Sequence, residues 1–150
     1  PLASSSAASD VYKRQGGERA MRLALGTLPI ERSISYINAH GTSTPVGDVG
    51  EVEAVRRVFN QGSVPLISST KSMTGHAQGA AGALEAIYCL LMLENDFIAP
   101  SINVNTLDPA LMAAEIATNL VENAKLDTVM TNSFGFGGTN GSMLLSKFYE

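Results

Sequence analysis

The chain has one cysteine, no tryptophan and few charges. A single thiol, Cys89, excludes an internal disulfide framework and is compatible with a reducing compartment. Charged residues fill 16% of the 150 positions and the net charge is −4. There is therefore no basic footprint of the kind nucleic-acid binding requires. The longest unbroken apolar run, Ala86–Leu93, falls far short of the roughly 20 residues that span a bilayer. No charged start followed by an apolar stretch marks a secretory signal. Neither a nucleic-acid nor a membrane partner is expected. What is present is 45% apolar residues in a length that suits one domain with its own hydrophobic core.

Residues 1–15, PLASSSAASDVYKRQ, are small and polar with no apolar periodicity, and DVYKRQ reads as translated adapter sequence. They are expected to be a disordered or non-native leader, with the domain spanning residues 16–150. Apolar spacing then predicts a helix over Glu18–Leu28, stopped near Pro29, and a strand over Ser33–Ala39. After the loop His40–Gly47, Asp48 is expected as a helix N-cap with Glu51 as its capping-box partner. Val64–Ser68 reads as a strand, Thr70–Gly75 as a loop and Gln78–Asn95 as a long helix, apolar nearly all round and so buried on most faces. An irregular stretch over Asp96–Val121 precedes a strand at Thr128–Asn132, a turn at Gly135–Gly138 and a last strand at Ser142–Phe148. Alternating strands and helices ending in two adjacent strands predict an α/β architecture.

Few residues can carry chemistry. Glu85 lies in the middle of the apolar helix, where a carboxylate must be paired, protonated or bound to a cation. Two readings stay open: a carboxylate at a wet edge, or part of a polar network with Lys71 as its partner. The only histidines, His40 and His76, follow similar loop contexts, the first at the carboxyl end of a strand where α/β proteins bind ligands. His76, at a helix N-terminus, is expected to stay neutral and able to donate an N–H to an oxygen that gains charge. Each histidine has a structural alternative, and their spacing matches no local metal motif. The segment GFGGTNG has Asn140 where a dinucleotide fingerprint needs its third glycine. Its backbone N–H groups are either ordinary turn donors or an oxyanion hole. Cys89, inside the apolar run, is expected to be an inert buried thiol.

Four stretches together resemble one family. INAHGTSTPVGD (Ile37–Asp48), ISSTKSMTGHAQGAAG (Ile67–Gly82), IAPSINV (Ile98–Val104) and TNSFGFGGTNG (Thr131–Gly141) are similar, in order and spacing, to the β-ketoacyl-acyl-carrier-protein synthases. The resemblance covers the chain from near Gly17 onward, and its wording is closest to the type I enzymes.

The resemblance implies the C-terminal half of a thiolase-like fold, a mixed sheet with helices packed on it. It implies acyltransferase chemistry of fatty-acid synthesis, the decarboxylative Claisen condensation of acyl and malonyl carrier-protein thioesters. His40 and His76 match the catalytic histidine pair, Lys71 and Glu85 the lysine and glutamate that hold the network around His76. Phe136 matches a gating phenylalanine whose backbone N–H is one oxyanion donor. Thr42 and Thr44 match hydroxyls against the pantetheine arm, and Gly135 and Gly137 belong to the same substrate-facing turn. Asn38, Glu85 and Asn132 match positions that in some members hold an optional structural monovalent cation; no other cofactor is expected. Implied partners are acyl carrier protein, an N-terminal half bearing the nucleophilic cysteine, and a second subunit in a full-length cytoplasmic homodimer. Because that cysteine belongs to the other half, the chain is expected to be a fragment, inactive alone. The alternative is a non-catalytic binding or dimerisation module resembling a chain-length factor.

Overall fold

A computed structural model describes residues 5–60 and 62–149, with side chains from residue 15 onward. The chain runs α1 (Ser5–Leu25), β1 (Ile34–Asn38), α2 (Pro45–Val58), β2 (Leu66–Ser68), α3 (Lys71–Thr74) and α4 (Ala81–Asn95). It continues through β3 (Phe97–Ile98), β4 (Val121–Glu122), β5 (Thr128–Phe134) and β6 (Asn140–Ser146). The main sheet has the order β2-β1-β5-β6, and β3 pairs antiparallel with β4 apart from it. β1 is parallel to both β2 and β5, whereas β6 returns antiparallel to β5. The outer edge of β2 is covered at Ile67, which exchanges 2.8 Å backbone bonds with Glu115 and Ala117.

The two-residue period of a strand puts neighbours Tyr36 and Ile37 on opposite faces, and both are fully buried. Ile37 joins Met21, Val52, Val55, Ile67 and Met130 beneath α1 and α2. Tyr36 joins Cys89, Met92, Leu93, Ile98 and Val129 beneath α4. A sheet covered on both faces explains why β1 is buried at every position but one. Among the described residues no helix is long and apolar enough to cross a membrane.

Several expectations need correction. Pro1–Ser4 lie outside the described residues, but the backbone from Ser5 to Gln15 is helical and continuous with the rest of α1. Ala, Lys, Arg and Gln favour a helix even where no apolar face exists. α2 starts at Pro45 rather than after Asp48, with Thr44 as its N-cap residue in an extended conformation (φ −114°, ψ 137°). Proline is suited to the first helical position, where its missing N–H is not needed. Asp48 sits within the first turn and accepts the Thr44 N–H at 3.4 Å, and Glu51 is not a capping-box residue. The expected loop Thr70–Gly75 contains the single turn α3, and β3 and β4 punctuate the expected irregular stretch. α4 is not buried on most faces: Ile87 and Leu90 are 51% exposed and Leu91 46%. The sheet can cover only one side of a helix, and α4 spends that side on Glu85, Cys89, Met92 and Leu93.

Candidate active site

Three parallel strands point the same way, so the loops leaving β1, β2 and β5 open on one edge of the sheet. The β1 loop carries His40, the β2 loop carries Lys71 and, past α3, His76, and the β5 loop carries Phe136. Ser69 ties the first two loops together by donating its hydroxyl to the Gly41 carbonyl at 2.9 Å. Gly41 has φ +31°, and a Cβ there would stand 2.7 Å from Ser69 Cβ, so this approach requires glycine.

The two imidazoles converge. Their ring centroids are 5.3 Å apart, edge to face at 86°. The Phe134 ring lies against His40 at 6.0 Å. His76 Nδ1 accepts the backbone N–H of Gln78 at 3.1 Å. An imidazole that accepts at Nδ1 carries its proton on Nε2, so this bond leaves Nε2–H as the donor that His76 offers. Behind it, Lys71 Nζ and Glu85 Oε1 form a buried ion pair. Burial pushes the Glu85 carboxyl above its ordinary value, and the Lys71 ammonium draws it back down. Among the described residues the second oxygen, Oε2, is buried without a hydrogen-bond partner. Of the two readings of Glu85, the structure selects the pairing with Lys71.

His40 is held from below by a residue whose position in the site the sequence did not reveal. Glu51, on the buried side of α2, accepts the backbone N–H groups of His40 at 2.9 Å and Gly41 at 3.0 Å. Asn132 of β5 donates its side-chain amide to the same carboxylate at 3.1 Å. Burial raises the Glu51 carboxyl above its ordinary range, and these donors partly offset the shift. The only signal available in the sequence was an acidic residue on the apolar side of α2. Phe134 was also missed, its neighbour Phe136 having drawn the attention through the glycines around it.

A cleft of about 970 Å³ opens over the histidines, with Thr42, Thr44, Phe134 and Phe136 in its walls. The hydroxyls of Thr42 and Thr44 are 3.5 Å apart. Phe136 is 91% exposed at the rim. The following Gly137 takes φ 76°, which lets the chain reverse between β5 and β6. Gly135 lines the cleft, but its N–H is engaged by the Thr139 carbonyl at 2.8 Å. Gly137 is not among the residues lining the cleft. A second cavity of about 820 Å³ lies on the other side of the β1 loop and shares His76 and Thr42 with the first, while Lys71 opens only to it.

The oxygens suggested for a monovalent cation are divided among separate networks. Asn38 exchanges bonds with Thr70, Asn132 spans Glu51 and Ser142, and Glu85 already carries the Lys71 ammonium. Among the described residues no group of three or more His, Cys, Asp or Glu could hold a metal ion. Cys89 lies fully buried in the core, and burial pushes its thiol up to about 12.

Residues 3–105 match the family described as beta-ketoacyl synthase, C-terminal domain. The chain belongs to the β-ketoacyl synthases. It is 59% identical over 134 residues to 3-oxoacyl-[acyl-carrier-protein] synthase 1 of Haemophilus influenzae, covering 89% of this chain and 32% of the relative. The corresponding synthase 1 of Escherichia coli strain K12 is 53% identical over 136 residues, covering 91% of this chain and 32% of the relative. Among solved structures, the ishigamide ketosynthase/chain length factor superposes with a TM-score of 0.82 at 37% identity, covering 91% of this chain and 34% of that one. This ketosynthase-family chain thus spans about one third of the length of the curated relatives it matches. Its mixed sheet with packed helices is the thiolase-like architecture that the motifs implied.

Proposed function

We propose that the chain is the histidine-bearing part of a condensing enzyme that joins acyl and malonyl units carried as thioesters on acyl carrier protein. The observation that carries this reading is the meeting on one cleft of His40 and of His76, whose Nδ1 is engaged by the Gln78 N–H. Pantetheine lies along Thr42 and Thr44, and Phe136 stands at the entrance. The malonyl thioester carbonyl accepts hydrogen bonds from the two imidazoles. When the malonyl C–C bond breaks, carbon dioxide leaves and the electron pair spreads onto that oxygen as an enolate, which the preplaced N–H donors stabilise. The enolate carbon then attacks the carbonyl carbon of an acyl thioester. A new C–C bond forms and the acyl-carrying thiolate is expelled. In this reading side chains and backbone donors do the chemistry with no cofactor. Lys71 and Glu85 act as positioning residues behind His76.

The acyl-carrying cysteine comes from outside this chain in our reading. Cys89 is buried with its thiol held near 12, so it does not supply a thiolate at neutral pH. An N-terminal half bearing the nucleophile completes the site, and the whole enzyme works in the cytoplasm as a homodimer. One solved relative, a type II PKS acyl-carrier protein in complex with its ketosynthase, supports a carrier protein as the partner. The intact His40, Lys71 and His76 favour this over a non-catalytic module, which needs none of them.

The test is to incubate the chain with acyl and malonyl pantetheine thioesters and analyse protein and products by mass spectrometry. Neither an acyl adduct nor a 3-ketoacyl product is expected. Adding a matching N-terminal half should restore condensation, and His40→Ala in that assembly should remove malonyl decarboxylation. Acylation of Cys89 with turnover would overturn the reading.

A further inference from the structure

The β1 loop bends sharply where it carries its two hydroxyls. In an extended chain, residues i and i+2 face the same way but stand about 6.6 Å apart. The hydroxyls of Thr42 and Thr44 are only 3.5 Å apart. Ser43, between them, has φ 60°, a left-handed conformation that residues other than glycine seldom adopt and that gathers at functional sites. The Ser43 side chain is exposed and lines the second cavity but not the cleft over the histidines, whereas Thr42 and Thr44 line both. Two neighbours hold the bend. Burial raises the Asp48 carboxyl above its ordinary value, and the backbone N–H groups of Thr44, Ser43 and Thr42 oppose that shift, so three successive donors curl towards one carboxylate. A Cβ on Gly47 would stand 2.2 Å from Thr44 Oγ1, so glycine leaves that hydroxyl its place.

We propose that Ser43 is a positioning residue whose left-handed backbone, and not its hydroxyl, joins Thr42 and Thr44 into one binding element for the pantetheine arm. The inference rests on the proposed contact of the two threonines with pantetheine. Oxygens 3.5 Å apart can both reach a single amide atom at about 2.8 Å. At the extended spacing they cannot, because half of about 6.6 Å already exceeds that reach. The bend therefore turns two separate hydroxyls into a grip on one amide group of the arm.

Substitutions at Ser43 separate backbone from hydroxyl. Glycine takes a positive φ freely but brings no hydroxyl, whereas threonine keeps the hydroxyl and its branched Cβ makes φ 60° an outlier. The rate of malonyl pantetheine decarboxylation is measured in the assembly with an N-terminal half. Ser43→Gly should keep KM within about twofold, while Ser43→Thr should raise KM about tenfold with kcat changed by less than about threefold, the mark of lost binding rather than lost chemistry. The double variant Thr42→Val, Thr44→Val should raise KM at least as much. The full chain alone gives a second readout. A nuclear Overhauser contact between the Thr42 and Thr44 side chains should persist in Ser43→Gly and vanish in Ser43→Thr, with circular dichroism unchanged. Loss of that contact in Ser43→Gly, or its survival with an unchanged KM in Ser43→Thr, would overturn the proposal. A raised KM in the double variant beside an unchanged KM in Ser43→Thr refutes the role of Ser43 and leaves the pantetheine contact standing. An unchanged KM in the double variant removes that contact and the role of Ser43 with it.

Discussion

Replacing Glu51 by glutamine probes how the fold holds His40. The carboxylate serves three donors with two oxygens: Oε1 takes the His40 and Asn132 N–H groups, and Oε2 takes that of Gly41. Glutamine retains one acceptor and turns an NH₂ group towards the third donor. If its oxygen keeps the Oε1 partners, the Gly41 N–H faces another donor. A hydrogen bond to a charged group contributes about 1.5–3 kcal/mol, so its loss is offset only in part by removing a buried charge. A net destabilisation of about 1–2 kcal/mol follows, and each kcal/mol lowers Tm by about 2–4 °C for a domain of this size. The pH dependence carries a sign of its own. Burial raises the Glu51 carboxyl above its usual 4.5, so the folded chain binds the proton more readily than the unfolded chain. This contribution to stability is complete below pH 4.5 and is lost as the pH rises through the elevated value. The Tm difference between wild type and Glu51→Gln should therefore be larger near pH 5 than near pH 8. Differential scanning calorimetry at the two pH values measures it, and imidazole NMR signals report whether His40 has moved. An unchanged Tm with unmoved signals, or a difference that grows with pH, would refute the reasoning.

Lys71→Met should destabilise the chain by about 3–5 kcal/mol in urea unfolding, because it strands the buried Glu85 carboxylate. Adding Glu85→Leu to that variant should recover most of the loss, and failure to recover any would show that the pair is not coupled. Cys89 should resist alkylation in the native chain, since a thiol near 12 is about one part in 10⁴ ionised at pH 8; labelling as fast as free cysteine would contradict its burial. The bidentate bond from Arg56 holds the Glu115 carboxyl below its usual 4.5, so this contribution is present above pH 4.5 and fades as the pH falls through the lowered value. Arg56→Gln should accordingly flatten the acid limb of the stability curve, and an unaltered limb would count against the pairing.

The strands and helices were largely legible because most obey a local period, and the histidine loops were legible because glycine, proline and threonine crowd around them. What escaped depends on contacts distant in sequence. Glu51 stands three residues after Asp48, and the local rule offered a capping box. Only the packing of α2 on β1 and β5 turns that carboxylate towards His40, Gly41 and Asn132. The start of α2 was misplaced although Thr44-Pro45 is a serviceable initiation signal. For α4, the composition correctly suggested a helix with apolar residues all round, but composition does not say whether each side has something to lie against. The pairing of Lys71 with Glu85 was one of two readings the sequence left open, reached from the implausibility of a lone charge, a physical argument that needs no knowledge of distance.

The sheet order also governs when the site can come into being. β1 lies between its early neighbour β2 and the late strand β5, with Ile37 paired to Met130. Pairing so distant in sequence is slow, since a long loop must close before any contact rewards it. During synthesis the β1 and β2 loops emerge well before Asn132, the residue that joins Glu51 under His40. Until β5 threads beside β1, Ile37 and Val55 have an incomplete core and β1 an open, apolar edge. A ribosome-bound intermediate stopped short of Thr128 would thus be a ready target for chaperones. The geometry of the two histidines would be among the last features to set.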